Sequence, residues 1–516
     1  MIVEWRWWQV EGDEGGFPLL TRQPVPASPA TSSRAPTAAV PPAPPPETKK
    51  APPREKSIWE MTAKEQRAHL WKIHADEAGP SDRAAQRFED YAGRHHAPGA
   101  RTDSEEEETI FVVTASYRDP EVASTIARAY ARAAKPERVR FGVHAQNAGS
   151  DAEPERDPVG GLGALNVSCP RHPVCRAVAE GRISVSRELW KRAEGPTVAR
   201  ALAERWYRNE TYVAGVDSHC HFVRGWDEVA IDMFKRIGNE HAIITAYPEG
   251  YGSDLQGGDG TEAYEPPTVV RSVGCIARTR RVNVHNTVSF KHDMTKCATP
   301  NGGVRVAFFA AGFSFSRGHR VLRVPYDPHT PYVFDGEEIS MGVRAWTWGY
   351  DLYQPDCNII SHLYIPSGSP LRPVFWTEDW GRRWPCQFRS LVRIHKQLRI
   401  KEKLTPGVPD DMIDLDDWDL YDVGPRRDPA TFFDWARIDV VNEWGDKCMP
   451  RNAPALRGQA TGNKAHCWSD DLRGDYGKPG GMPYVPWRPG TEDLFPPMVR
   501  TAAYPPPENQ WWRHRR

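Results

Sequence analysis

One short run near the middle of the chain constrains the fold most strongly. Residues 211–216 are small or apolar and include several β-branched side chains, which is typical of a strand covered on both faces. Asp217 and His219 follow, and their alternate spacing lets both side chains point to the same side of an extended backbone. In an open α/β sheet, ligands bind just outside the carboxyl ends of the strands. The run therefore predicts a sheet strand that ends in two candidate ligands for a divalent cation, although a turn aspartate and a polar loop histidine explain it equally well.

The surrounding region alternates strand patterns with helix patterns. Strands are predicted at 110–114, 139–143, 242–246, 305–315 and 358–360, and helices follow Pro120 and span 197–207, 226–237 and 337–350. Asp119 stands directly before Pro120, so we interpret it as a helix N-cap. The alternation predicts an α/β fold with a mainly parallel central sheet flanked by helices.

Composition excludes several classes of protein. The net charge of −1 argues against a general nucleic-acid binder, and no apolar stretch approaches the roughly 20 residues of a membrane span. The acidic start of the chain is unlike a signal peptide, so we expect a cytoplasmic protein. The nine cysteines are scattered without a CxxC pair, which indicates mostly reduced thiols. Nothing in the sequence indicates the oligomeric state.

Several blocks, in order along the chain, resemble one family. They are Val112–Pro120, Arg138–Val143, Glu194–Pro196, Asp217–His219, Phe334–Glu338, Trp346–Asp351 and His362–Tyr364. Together they resemble the GlcNAc-transferase family typified by the cytosolic enzyme that glycosylates hydroxyproline on the adaptor subunit of a cullin ubiquitin ligase. The resemblance implies a GT-A glycosyltransferase fold, UDP-GlcNAc as donor, a divalent metal and retaining transfer. The acceptor it implies is a protein hydroxyl, with hydroxyproline as the specific case.

The resemblance also sets the expected domain boundaries. It covers residues 108–441, which we expect to form the GT-A domain. Residues 1–57 are a Pro-rich segment of low complexity, expected to be disordered, and 58–107 are expected to be a polar helical and acidic linker. Residues 442–516 form a Trp- and Pro-rich extension that we expect to be irregular.

Three residues are the predicted metal ligands: Asp217, His219 and His362. A sugar-nucleotide diphosphate leaves with much negative charge, and a cation beside it would act as a Lewis acid. A carboxylate with two imidazoles favours Mn²⁺ over a pure Mg²⁺ site. Without the family pattern, a satisfied core histidine is the simpler interpretation of His362.

Ser116, Arg118 and Arg200 are the predicted nucleotide-binding residues, together with Asp217. Arginine binds phosphate through two parallel hydrogen bonds. Two of these residues have a plainer alternative: Ser116 as a loop residue, and Arg200 as a surface residue outside the apolar stripe of its helix.

Glu337 and Glu338 are the predicted catalytic pair, without a choice between them. One of them would orient the acceptor hydroxyl or receive its proton. The alternative is that both stabilise the first turn of a helix, where acidic side chains favour the dipole.

Three other functions stay open. The chain could transfer another sugar or use another acceptor. It could be a noncatalytic scaffold that binds partners through its Pro-rich and Trp-rich ends. It could also be a metal-dependent hydrolase built on the Asp and His residues, which would need no sugar nucleotide.

Overall fold

The structure is a computed structural model that describes residues 56–77, 108–147, 156–165, 167, 169–266, 273–274, 294–295, 306, 308–355, 357–365, 372–375, 380–400 and 408–435. The chain divides into two units, Met1–Ser57 and Ile58–Arg516, and the description below concerns the second. The predictions for the Pro-rich segment, for the acidic residues 105–107 and for the extension 442–516 lie outside the described residues.

Strands and helices alternate through most of this unit. The strands are β1 (Ile110–Tyr117), β2 (Val139–Asn147), β3 (Ile183–Leu189), β4 (Tyr212–Val216), β5 (Cys220–Phe222), β6 (Ala242–Thr245), β7 (Glu249–Gly250), β8 (Val273–Gly274), β9 (Met294–Thr295), β10 (Phe313–Arg317), β11 (Asp351–Tyr353) and β12 (Ile360–His362). The helices are α1 (Ala63–Glu77), α2 (Val122–Arg132), α3 (Gly161–Ala164), α4 (Pro173–Ala179), α5 (Pro196–Glu204), α6 (Trp226–Ile237), α7 (His319–Arg323), α8 (Glu337–Thr347), α9 (Trp380–Gln397), α10 (Trp418–Tyr421) and α11 (Pro429–Trp435). No described helix is long and apolar enough to cross a membrane.

The central sheet has seven strands in the order β11-β6-β10-β4-β1-β2-β3. Strand β10 runs antiparallel to both of its neighbours, and the other pairings are parallel. A smaller sheet, ordered β5-β12-β7, lies beyond the carboxyl end of β4. The predicted α/β class with a mainly parallel sheet is therefore confirmed.

Helices cover both faces of the central sheet. Along β1, Ile110 and Val112 belong to the core shared with α2 and α6, while Phe111 and Val113 belong to the core shared with α5 and α7. This alternation follows from the period of two in an extended strand. Because both faces are apolar, the sequence of β1 is a continuous hydrophobic run.

A glycine lets α5 approach the sheet closely. A Cβ atom at Gly142 in β2 would lie 2.7 Å from the carbonyl oxygen of Ala203 in α5 and would overlap the ring of Phe111. Only a residue without a side chain fits there. The close approach matters for function, since α5 carries Arg200 towards the carboxyl ends of β1 and β4.

Helix α1, which precedes the first strand of the sheet, packs against other parts of this unit. Leu70 in α1 is fully buried with Tyr332 and Cys386, and the Arg67 guanidinium pairs with the buried carboxylate of Glu194 at the start of α5. Part of the segment predicted as a linker therefore packs against the body that carries the sheet.

Two local predictions are wrong. The strand predicted at 305–315 begins only at Phe313, because Phe308 packs against α8 instead of joining the sheet. The prediction of reduced thiols is wrong for Cys169 and Cys175, which form a disulfide because the turn between them brings their Cα atoms to 5.7 Å. Cys220 and Cys386 are buried free thiols.

Candidate metal and nucleotide site

The order of the strands places a crevice between β1 and β4. The chain runs from β1 through β2 to β3 on one side of the sheet, and then returns to add β4 on the other side of β1. Parallel sheets bind ligands outside the carboxyl ends of the strands at such a reversal. Ser116, Arg118 and Asp119 lie at the end of β1, and Asp217 and His219 follow β4.

The three predicted metal ligands meet in this crevice. Asp217, His219 and His362 each offer one donor atom, and these atoms lie within 4.8 Å of one another. The Nε2 atoms of His219 and His362 are 2.8 Å apart, and His362 Nε2 is 2.9 Å from Asp217 Oδ2. His362 reaches the group because β12 pairs with β5, which follows directly after His219.

The charge states of these groups suit a cation. Burial alone would raise the pKa of Asp217, but the hydrogen bond from His362 and the charge of Arg200 hold it well below its usual range. Burial lowers the pKa of His362 to about 4, and the neighbouring His219 contributes to the shift. At neutral pH the site therefore holds a carboxylate and a neutral imidazole, whose Nε2 can ligate a cation in the tautomer that carries its hydrogen on Nδ1.

The donor spacing fits a divalent ion. With bond lengths of about 2.1 Å, neighbouring ligands at right angles stand about 3 Å apart, close to the 2.8 and 2.9 Å seen here. Two imidazole nitrogens and one carboxylate oxygen are ligands that several divalent metal ions accept. Asp217, His219 and His362 could together hold such an ion.

Arg200 occupies the centre of the site rather than the surface. It donates to Asp217 Oδ1 at 2.5 Å and to the carbonyl of Ala311 at 3.1 Å, and it also pairs with Glu337. Burial would lower the pKa of Arg200, but the carboxylates of Glu337 and Asp217 raise it above its usual value. In this structure Arg200 orients a candidate metal ligand, and its predicted contact with the phosphate stays a prediction.

The two glutamates have different partners. Glu337 is buried behind Arg200, and burial, with a further contribution from Glu338, raises its pKa to about 6 despite the charge of Arg200. Glu338 is partly exposed and accepts hydrogen bonds from Tyr247 Oη at 2.5 Å and from the backbone N–H of Ala311 at 2.9 Å. Of the pair, Glu338 is therefore the residue that an incoming molecule can reach.

The predicted nucleotide residues of β1 lie at its carboxyl end. Ser116 is buried, and its hydroxyl has no hydrogen-bond partner among the described residues. Arg118 has a left-handed backbone with φ 47°, unusual for a residue with a side chain. Its guanidinium lies 4.5 Å from the ring centre of Trp190. Such backbone strain concentrates at ligand sites.

Asp119 and Arg372 are the site residues that sequence reasoning missed. The sequence predicts Asp119 as a helix cap, yet Glu121 is the N-cap of α2, and Asp119 Oδ2 lies 2.6 Å from His219 Nδ1. Arg372 donates to the same oxygen at 2.8 Å and lies 2.9 Å from His219 Nε2. The Asp-Pro pair is a common helix start, so no local signal marked the contact with His219.

The chain resembles one family model and a number of solved structures, GalNAc-T7 and S. aureus TarS among them. The model of the glycosyltransferase (GlcNAc) family matches residues 109–161 and 164–442, more than half of the chain. GalNAc-T7, solved with UDP, GalNAc and Mn²⁺, is 13% identical with a TM-score of 0.37, over 64% of this chain and 57% of that one. S. aureus TarS 1–349, solved with UDP-GlcNAc, is 10% identical with a TM-score of 0.31, over 57% of this chain and 74% of that one. Scores this low bear on neither fold nor function, and no curated protein matches the chain.

Proposed function

The chain belongs to the GlcNAc glycosyltransferase family, and from that premise we propose that it transfers N-acetylglucosamine from UDP-GlcNAc to a protein hydroxyl, in a metal-dependent reaction with retention. Hydroxyproline is the acceptor we propose to test first. The observation that carries the proposal is the convergence of Asp217, His219 and His362 at the carboxyl end of the strand beside β1.

In this proposal the donor lies across the ends of β1 and β4. The hydroxyl of Ser116, which has no hydrogen-bond partner among the described residues, and the guanidinium of Arg118, just after β1, would contact the nucleotide. Bound at Asp217, His219 and His362, a divalent cation would supply Lewis-acid stabilisation to the diphosphate leaving group. Arg200 keeps Asp217 ionised and correctly oriented, because its other contacts, with Ala311 and Glu337, fix the guanidinium.

The acceptor enters, in this proposal, on the side of Glu338. Tyr247 and the backbone of Ala311 hold the two carboxylate oxygens of Glu338, so the group has a fixed position beside the crevice. A fixed carboxylate can accept a hydrogen bond from the acceptor hydroxyl and align it for attack. Glu337 instead holds Arg200.

The proposed step balances without a further reactant. The bond between the anomeric carbon and the diphosphate oxygen breaks, and a bond from that carbon to the acceptor oxygen forms on the same face of the sugar. The proton of the acceptor hydroxyl moves to the leaving phosphate oxygen. Glu338 orients the hydroxyl in this scheme and does not need to keep the proton.

Release of UDP from a panel of UDP-sugars, with Mn²⁺ and a hydroxyproline peptide, tests the proposal. We expect UDP release to be fastest with UDP-GlcNAc, and mass spectrometry to find one added N-acetylhexosamine on the peptide. Fast release without a modified peptide would favour another acceptor, and phosphate-ester hydrolysis without any sugar nucleotide would favour the hydrolase alternative. No UDP release from any donor would refute the proposal.

A further inference from the structure

We propose that Asp119 is the positioning residue of the cation site, acting through His219, an inference that rests on the proposed function. Asp119 is buried at the end of β1, and its Oδ2 lies 2.6 Å from His219 Nδ1. Metal-ligating histidines almost always donate their second ring N–H to a carboxylate, a carbonyl or a water, which fixes the tautomer and the orientation of the ring.

The surroundings keep Asp119 in the role of acceptor. Ser218 Oγ donates to Oδ2 at 2.7 Å, Arg372 donates to it at 2.8 Å, and the backbone N–H of Glu121 donates to Oδ1 at 2.9 Å. At 2.6 Å from Nδ1, this acceptor favours the tautomer of His219 that carries its hydrogen on Nδ1, while Arg372 Nη1 contacts both ring nitrogens of His219. The lone pair of His219 then lies on Nε2, the atom that faces His362.

Asp119 Oδ2 also accepts a hydrogen bond from Arg372, which belongs to another part of the chain. Arg372 belongs to a short segment between β12 and α9, and its contacts with Asp119 and His219 hold it at the crevice. One carboxylate therefore positions both a metal ligand and the arginine next to it. Removing its charge therefore disturbs both groups, which also contact each other.

The two oxygens of Asp119 have different tasks, which makes Asp119→Asn an informative substitution. Asparagine retains Oδ1, so the hydrogen bond from Glu121 N–H that begins α2 can remain. The amide nitrogen replaces Oδ2 and donates, so it favours the tautomer of His219 that accepts at Nδ1. That tautomer carries its hydrogen on Nε2 and cannot ligate a cation there.

The experiment measures Mn²⁺ binding to the full chain in the presence of UDP by electron paramagnetic resonance. Free Mn²⁺ gives the affinity, and pulsed spectra detect the imidazole nitrogens coupled to bound Mn²⁺. We expect two coupled nitrogens in the parent and one in Asp119→Asn, with an affinity about 10- to 100-fold lower, the usual effect of losing such a partner. A purely structural role for Asp119 would not change the number of coupled nitrogens.

Asp227→Asn is the matched control. Asp227 is also fully buried, and its oxygens accept hydrogen bonds from the backbone N–H groups of Ala134 and Lys135 at 2.6 and 3.0 Å. Its substitution is expected to lower the melting temperature while Mn²⁺ affinity stays within about twofold of the parent. An equal loss of Mn²⁺ affinity in both variants would overturn the proposal, since it would be a general effect of destabilisation.

The outcomes separate this inference from the proposed function. Two coupled nitrogens and parental affinity in Asp119→Asn would overturn the role of Asp119 alone. Absence of bound Mn²⁺ in the parent would refute the metal-dependent function together with it. If Asp119→Asn does not fold, Asp119→Glu replaces it: the charge remains but the carboxylate moves by one methylene, so lower affinity is expected and parental affinity would overturn the proposal.

Discussion

Replacing Arg200 by methionine should destabilise the protein strongly, and more so at alkaline than at acid pH. Methionine keeps much of the length and removes the charge. The side chain of Arg200 is 6% exposed and those of Glu337 and Asp217 are 3% and 26% exposed, so two carboxylates lose their main cationic partner in a largely buried site. Removing one partner of a buried ion pair costs about 3–5 kcal/mol. At about 2 °C per kcal/mol for a large domain, the melting temperature should fall by roughly 6–10 °C at pH 7.

The pH dependence has a definite sign. The folded-state pKa of Glu337, about 6, lies above the ordinary value of 4.5, so the folded state is favoured when this group is protonated. That contribution is present in full below the ordinary pKa and is lost as the pH rises through the folded-state pKa. Arg200 lowers the pKa of Glu337, so Arg200→Met moves this loss to higher pH. The difference in stability from the parent should be smaller near pH 5, where Asp217 is ionised but Glu337 is protonated, and should grow towards pH 8.

Thermal unfolding followed by circular dichroism at pH 5, 7 and 8 checks the prediction. Arg176→Met is the matched control: Arg176 pairs with Glu180 at 2.7 Å but is 72% exposed, and its loss should leave the melting temperature unchanged. The argument is refuted if Arg200→Met melts within a degree or two of the parent at all three pH values. A larger loss at pH 5 than at pH 8 would contradict the assigned charge states.

Three further predictions follow from particular contacts. Glu338→Gln should reduce sugar transfer about 100-fold while the affinity for UDP-GlcNAc persists. Glu337→Gln should lower thermal stability as well, because Glu337 pairs with Arg200. Parental transfer rates in both variants would mean that the two glutamates only stabilise the start of the helix. Burial lowers the pKa of His395 to about 4, so the free energy of unfolding should fall by about 2 kcal/mol from pH 7 to pH 5 on account of this residue. In urea titrations, His395→Leu should remove that part of the pH dependence. Deleting residues 1–57 should leave the melting temperature nearly unchanged. Leu70→Ala should lower the free energy of unfolding by about 2–5 kcal/mol, because Leu70 is fully buried. An equal effect of the two changes on stability would contradict the packing of α1.

Much of the fold could be predicted because its signals are local. The helix Trp226–Ile237 has the predicted bounds, since Gly225 and Gly238 flank an amphipathic run. Strands β1, β2 and β4 appear where they are predicted, because each begins with a mainly apolar stretch. The insertion of β10 between β4 and β6 could not be predicted, because strand order depends on contacts between distant residues.

The sequence predicts which residues form the site but not which of them contact one another. The motif blocks named Asp217, His219 and His362, and the structure brings their donor atoms together. The pairing of Arg200 with Asp217 and Glu337 depends on how closely α5 packs on the sheet. That close packing is possible because Gly142 has no side chain. No periodicity in the sequence encodes such a contact between helices and loops.

Calorimetric titration of UDP-GlcNAc into the full chain, with Mn²⁺ or with EDTA, tests the central claim most directly. The claim is that Asp217, His219 and His362 hold a cation on which the donor depends. We expect binding in Mn²⁺, and in EDTA an affinity at least tenfold weaker, with Asp217→Asn in Mn²⁺ resembling the parent in EDTA. Equal affinity for UDP-GlcNAc in Mn²⁺ and in EDTA would contradict the claim.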